Sequence, residues 1–395
     1  MKKESTVNNN LRETCIEKIF EKKAPSEVSN IAKGVKLPEG PLRAVVETEK
    51  MWVPGKEVKV RFLDGTAEQK KKVADWAGEW CMYANLLFTF GSIGFDADIL
   101  LRFQKKGNWS LVGTDSINEE YRDDCGGISM NIEQMDLKGT VQHEFGHSIG
   151  LVHEHSSPIG GIEWNKEVVY RDLGQPPNNW SKEMVDQQVF FKYSKDVTQY
   201  TALDKQSVMM YPFSAAWTTN GFSTGFNEEI SATDKEFVAA IYPGATAIFS
   251  KPDIRTARCS VKTGPETMYN KTNRNSWIMH EPGKSFIEIN FNQPKEFGGK
   301  EIYETANLRI THLTSATKNK PGKSPINIIL NGSNIKKDYS PPSSRWMEDT
   351  FDISSLMKDG DNKIRLELQR QAQTNYWINS LKVLCSGGDR LRFGD

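Results

Sequence analysis

The sequence predicts an α+β domain organised around one central helix, followed by an all-β sandwich of jelly-roll-like character. Three observations lead there. Up to about residue 247, short strand-like apolar runs interleave with segments of helical period. One of those segments, from about Leu137 to Ile149, carries two histidines a single turn apart. From about Lys251 the helical period vanishes, and apolar residues alternate with charged ones in short runs between turns. The 395 residues suffice for two or three separate cores. The expected division is an extension over 1–47, the α+β domain over 48–247 and the sandwich over 250–390.

The extension is polar and lysine-rich, with one short amphipathic segment from Leu11 to Phe20. It reads as an appendage, not a domain. Val58, Val60 and Phe62 alternate with charged residues and mark a strand, which Asp64-Gly65 turns. Thr66 and Gln69 have the spacing of a capping box. The helix they open has an apolar face of Val73, Trp76, Ala77, Trp80 and Ala84, whose tryptophans are core. Further strands are expected at Leu86 to Phe90, Ala97 to Phe103, Trp109 to Val112 and Ile128 to Ile132. Beyond the central helix, Ser181 caps a helix through Val189 and Ser231 one through Ile241. Tyr242-Pro243-Gly244 closes the domain. In the tail, Ile287, Ile289 and Phe291 form one strand and Ile364, Leu366 and Leu368 another. Ile326, Ile328 and Leu330 form a third, running into an Asn331-Gly332 hairpin turn.

Lysine plus arginine equal aspartate plus glutamate at 51 each, so the basic stripe of a nucleic-acid binder is not expected. No apolar run approaches the roughly 18 residues of a membrane span. Lys2 and Lys3 are not followed by the apolar stretch of a signal peptide. Five cysteines at scattered spacing indicate neither a disulfide framework nor a cysteine metal site. They read as thiols, with Cys259 and Cys385 the one pair placed to tie the sandwich ends together.

Four of the six histidines fall between positions 143 and 155. The run His143-Glu144-Phe145-Gly146-His147-Ser148-Ile149-Gly150-Leu151-Val152-His153 fits HExxHxxGxxH in full. On a helix His143 and His147 share a face. Gly150 permits the turn that returns His153 to the same point. Three imidazoles leave a fourth position open, the arrangement of a catalytic zinc site, and one Zn2+ per chain is expected. Glu144 follows the first ligand and is placed to act as general base on a water beside the metal. Downstream, Ser207-Val208-Met209-Met210-Tyr211 offers Met209 as a soft floor for the site. Tyr211, two residues on, has a phenol able to reach the metal.

On these residues the chain resembles the astacin family of metzincins, which pairs HExxHxxGxxHE with a turn S-x-M-x-Y. Glu154, Ser207, Met209 and Tyr211 fill those positions, and the resemblance spans roughly residues 50 to 245, with a bacterial look. It implies a metzincin catalytic domain and a zinc-dependent endopeptidase acting on protein or peptide substrates. By the resemblance His143, His147 and His153 are the ligands and Glu144 the base. Tyr211 is a further ligand that swings away to stabilise the oxyanion. The edge strand Trp109, Ser110, Leu111, Val112 and Gly113 pairs with extended substrate. The paired disulfides of animal members have no counterpart, and Ser156, Ser157 and Pro158 replace the usual Arg and Asp. The family's zinc-blocking FxGD signature is missing too, since Phe62-Leu63-Asp64-Gly65 reads as strand and turn. Latency by that device is therefore not expected.

In the tail, Trp277, Trp346, Tyr376 and Trp377 either fill the sandwich core, the favoured reading, or form a stacking platform for a glycan. His280 and His312 lack ligand partners by spacing. A pseudo-enzyme that only binds a partner is the rival class, and the presence of Glu144 speaks against it. A bacterial protein exported without a signal peptide is the expected setting, a cytosolic enzyme the alternative.

Overall fold

A computed structural model describes Cys15 and, with short interruptions such as 194–197, 251–259, 271–275 and 316–321, residues 46–386. The first half holds a five-stranded mixed sheet. Its strands are β2 (Glu57–Phe62), β3 (Leu87–Gly91), β4 (Ile99–Arg102), β5 (Trp109–Ser110) and β6 (Met130–Asn131). They lie in the order β3-β2-β4-β6-β5. All neighbours run parallel except the last pair, so β5 is an antiparallel edge. A two-stranded pair, β1 (Val46–Glu47) with β7 (Thr198–Gln199), stands apart from this sheet.

Helix α1 (Ala67–Ala77) starts on the expected Thr66–Gln69 capping box. It ends earlier than its apolar face suggested. Gly78 caps it, and Trp80 sits in a separate 3-10 turn, held by an indole N–H donated to the Gln142 carbonyl at 2.8 Å. That bond belongs to α3 (Lys138–Ser148), the central helix. Every α3 residue from Gly139 to Ser148 is buried. A helix enclosed on all sides loses the one-sided apolar stripe of a surface helix. Phe145 anchors it to the sheet, edge-on to Phe88 at 5.1 Å. Two short helices had no expectation attached: α2 (Glu119–Asp124), capped by Asn118, and α4 (Lys166–Leu173). Ser181 does cap α5 (Lys182–Val185), which continues into one π-helical turn, and Ser231 caps α6 (Ala232–Ile241).

The second half is a sandwich of two antiparallel sheets. One contains β9 (Ser260–Thr263), β12 (Phe286–Gln293), β16 (Ile326–Leu330), β17 (Ser333–Tyr339) and β19 (Gly360–Leu368). The other contains β10 (Thr267–Asn270), β11 (Ser276–Met279), β15 (Thr305–Thr314), β18 (Met347–Asp352) and β20 (Tyr376–Ser386), with β8 (Ile248–Ser250) added on β20. The orders are β17-β16-β19-β12-β9 and β10-β11-β20-β15-β18. A small hairpin joins β13 (Glu296–Phe297) to β14 (Lys300–Glu301). Ile287, Ile289, Ile326, Ile328, Ile364 and Leu366 are all completely buried between the sheets, as alternation required. Asn331 and Gly332 both take positive φ, 53° and 87°, the signature of a tight hairpin turn.

Tyr376 is fully buried and its hydroxyl meets His312 Nδ1 at 2.6 Å, so it cannot stack on a ligand at the surface. Trp277 packs against the sandwich core. Cys385 is a buried thiol, its pKa pushed up to about 12 by burial. Cys259, its suggested bridging partner, lies outside the described residues. The two halves share a polar seam. Asn85 donates from its amide to Gln293 Oε1 and to the Pro243 carbonyl, both at 2.9 Å. Arg309 reaches Glu57 at 3.4 Å. Among the described residues no helix is long and apolar enough to cross a membrane.

Candidate metal centre

Helix α3 presents His143 and His147 from consecutive turns. Past its end, Gly150 adopts φ 93°, a conformation costly for any residue with a Cβ. The chain thereby doubles back and delivers His153. The three side chains meet: His153 Nε2 lies 3.1 Å from His143 Nε2 and 3.2 Å from His147 Nε2.

The surroundings decide what these nitrogens can do. His143 Nδ1 faces the Val208 carbonyl at 2.7 Å, and His147 Nδ1 faces the Leu151 carbonyl at 2.9 Å. A carbonyl only accepts, so in the neutral form of each imidazole Nδ1 carries the proton and Nε2 presents the lone pair. Burial, with His143 and His155 nearby, holds the His153 imidazole well below the ordinary histidine range, which favours its neutral form. Neutral imidazoles crowding their lone pairs on one point form a cation site, and three nitrogens suit zinc.

The floor is built from the Ser207–Tyr211 turn. Met209 is 1% exposed and lies under α3 at Gly146. A Cβ on Gly146 would stand 2.3 Å from Met209 Sδ, so only a glycine just before His147 lets the methionine approach this closely. Asp234, at the start of α6, ties the turn in place. Its carboxylate accepts from Ser207 Oγ at 2.7 Å and from the Val208 N–H at 2.9 Å. Val208 in turn holds His143, so one chain of bonds runs from α6 to a candidate ligand. The sequence reading placed Ser231 at the start of this helix, but nothing local named Asp234 or its partners. Glu154 is buried, accepts from the Asp204 N–H at 2.9 Å, and has its carboxyl pushed up to about 8 by burial.

Glu144 is completely buried and forms part of the wall of a cavity of about 50 Å³ beside His143. Gly139, Thr140, Val208, Met210, Pro212 and Phe226 supply half of the remaining wall, and Asn108, Gln134 and Asn227 add amide groups to it. Tyr211 packs its ring 4.2 Å from His153 and 4.4 Å from His155. Its hydroxyl donates to the main-chain carbonyl of Cys15. The thiol of Cys15 stands 3.7 Å from His147 Nε2. Its sulfur and the three histidines' ligand atoms all lie within 4.8 Å of one another. Sequence reading passed over Cys15. The available signal was a cysteine inside the one amphipathic segment of an otherwise polar extension.

The edge-strand residues are arranged less simply than expected. β5 bonds only to β6, which leaves its other side as the sheet's edge. Leu111 continues the pairing through its N–H to the Ser129 carbonyl at 2.8 Å. Gly113 instead faces the chain's own backbone: a Cβ there would be 1.8 Å from the Lys50 carbonyl oxygen.

No curated protein matches the chain. Among solved structures, one of myroilysin is 39% identical with TM-score 0.47, spanning 50% of this chain and 98% of that one. The zinc protease HCE-1, a hatching enzyme of the medaka fish Oryzias latipes, is 14% identical with TM-score 0.36, spanning 49% and 95%. A CBM35 from Paenibacillus barcinonensis is 15% identical with TM-score 0.25, spanning 35% and 99%. The family model for the astacin peptidases matches residues 44–260, more than half of the chain. With its three converging histidines and methionine turn, the chain therefore belongs to the astacin family of zinc metalloendopeptidases.

Proposed function

We propose that His143, His147 and His153 bind the zinc and that Glu144 is the general base of peptide-bond hydrolysis. The observation that carries this is the convergence of three Nε2 atoms next to a cavity walled by a buried glutamate. Zinc supplies a Lewis acid that polarises a carbonyl and lowers the pKa of water to about 7. Glu144 takes the proton of the attacking water and returns it to the leaving amine. Between those two proton transfers Tyr211 would donate a hydrogen bond to the oxyanion. Trp109 to Val112 pair with the substrate backbone.

The leaving amine belongs to the residue after the scissile bond, so that residue's side chain lies nearest Glu144. The cavity there is walled mainly by apolar groups, and among the described residues Glu144 is its sole carboxylate. An apolar residue in that position is the expected substrate preference. Residues 48–247 form the peptidase and 250–390 an accessory module with a protein or glycan partner, in an exported protein. Digestion of a proteome-derived peptide library, read by mass spectrometry against the Glu144→Ala variant, tests the activity and the preference together. Cuts followed by apolar residues in the wild type alone are expected. Equal cutting by both proteins would remove Glu144 from the mechanism.

A further inference from the structure

We infer that a cleft on the outer face of the sandwich binds a carboxylated polysaccharide, with Lys358 meeting the carboxylate and asparagine amides meeting the hydroxyls. The inference rests on reading residues 250–390 as an accessory module, and it deepens that reading. The cleft has a volume of about 760 Å³, within the range of small-ligand sites. Asn290 and Asn292 of β12 line it, with Asp361 and Lys363 of β19 and Asn331 of the β16–β17 turn. Lys358 stands in the loop that leads into β19. Asn290 lies opposite Lys363 on one side and Ser260 on the other, and Asn292 lies opposite Asp361. Side chains alternate along a strand, and Phe291 between the two asparagines points into the core at 3% exposure. The amides therefore project outward in two rows about 7 Å apart.

Asparagine is depleted in strands, so two at alternate positions of β12 work against the element that holds them. Such conflicts with local propensity concentrate at functional positions. The floor is also built in advance. The buried Asn362 amide donates to the Lys358 and Gly360 carbonyls at 2.9 and 2.8 Å, which fixes the Lys358 loop. Asn331 donates to the Asn362 side-chain oxygen at 2.8 Å and accepts from the Lys363 N–H at 2.9 Å. A surface already ordered by its own bonds loses little freedom on taking a ligand.

The lining selects the ligand. Its one large apolar residue, Phe291, is buried, so the cleft offers no surface to a lipid or an apolar peptide. Amides and hydroxyls both donate and accept, as the hydroxyls of a sugar do. Asn292 spends one amide hydrogen on Asp361 at 2.8 Å, and its amide oxygen faces no donor among the described residues. None of Trp277, Trp346 and Trp377 borders the cleft, so recognition is by hydrogen bonds and charge and not by ring stacking. Two lysines against one aspartate make the lining net positive. Lys363 is shared with Glu288 at 3.6 Å, whereas Lys358 is exposed and makes no ion pair among the described residues. A carboxylate supplies the partner it lacks. The Asn292 carbonyl lies against the peptidase half, where a Cβ on Gly244 would be 2.6 Å from it. A polymer in the cleft thus keeps the peptidase among the proteins of the same coat, which raises their effective concentration.

Affinity electrophoresis of the full-length protein is the deciding measurement. Native gels carrying polygalacturonate, alginate or hyaluronate are compared with gels carrying methyl-esterified polygalacturonate, which keeps the sugar and removes the charge. At least one of the acidic polymers should retard the protein at about 0.1 M salt. The ester should bind about 10-fold more weakly than its parent acid. Lys358→Gln and the double variant Asn290→Ala/Asn292→Ala should each lose about 10-fold in affinity for the acid. Lys337→Gln makes the same charge change at an exposed site of β17 outside the cleft and should bind as the wild type does. Full binding by both cleft variants, equal binding of the ester, or no retardation by any of the three acids overturns the inference. Cleavage of a short quenched peptide should be the same in every variant. Absent polymer binding with intact cleavage sinks the inference alone. Cleavage lost together with the cleft side chains would make the cleft part of the peptidase and sink the accessory-module reading as well.

Discussion

Glu144 and Tyr211 stand on opposite sides of one chemical question, whether a side chain serves the metal or the transition state. Glu144 is proposed as the base and not as a ligand, so Glu144→Ala should retain about one zinc per chain by elemental analysis. Its turnover of a quenched peptide should fall about 10²–10⁴-fold, the usual cost of removing a general base. Near wild-type turnover would assign the base elsewhere. Tyr211→Phe removes only an oxygen. Its proposed donation is made in the transition state, so kcat should drop about 10²–10³-fold with little change in KM. An unchanged kcat in steady-state assays would leave Tyr211 as packing between His153 and His155. Legibility differs sharply among these residues. His143, Glu144, His147 and His153 lie on one helix and the turn after it, so spacing alone exposed them. Cys15 and Asp234 act through contacts that no periodicity encodes.

Elements were legible in proportion to how far one face explains them. The sandwich strands alternate cleanly because each sheet buries one side, and residues such as Ile287 and Ile364 fell where alternation put them. Helix α3 was found by its motif and not by amphipathicity, since all its sides are covered. Trp80 misled because its spacing fits α1 while its indole is bonded to α3. Inside the sandwich, His312 links β15 to β18 through Asp349, 2.7 Å from Nε2, and to β20 through Tyr376. Burial holds its imidazole below the ordinary histidine value of 6.5, against the pull of Asp349. A depressed folded-state pKa means the unfolded chain takes that proton more readily. The stability tied to the neutral ring is therefore present above about pH 6.5 and lost as the pH falls through the folded value. Calorimetry from about pH 7 down to pH 5 should show the sandwich transition moving to lower temperature, with a flatter dependence in His312→Gln. An identical slope in the variant would place the titrating group elsewhere.

At the scale of the whole molecule the two halves meet through polar groups as well as apolar ones. The Asn85–Gln293 bond is buried, so Gln293→Ala leaves the Asn85 amide one partner short. A cost of about 1–3 kcal/mol is expected, seen as wider separation of the unfolding transitions of the two halves. Coincident transitions at the wild-type temperature would show the seam to be energetically idle. A last consequence comes from the bonds that run from Asp234 through Val208 to His143. They give the centre a birth order. A ribosome emits the histidine helix long before Asp234, a gap of roughly 5–18 seconds at about 5–20 residues per second. During that interval the nascent chain has its histidines but no floor to orient them.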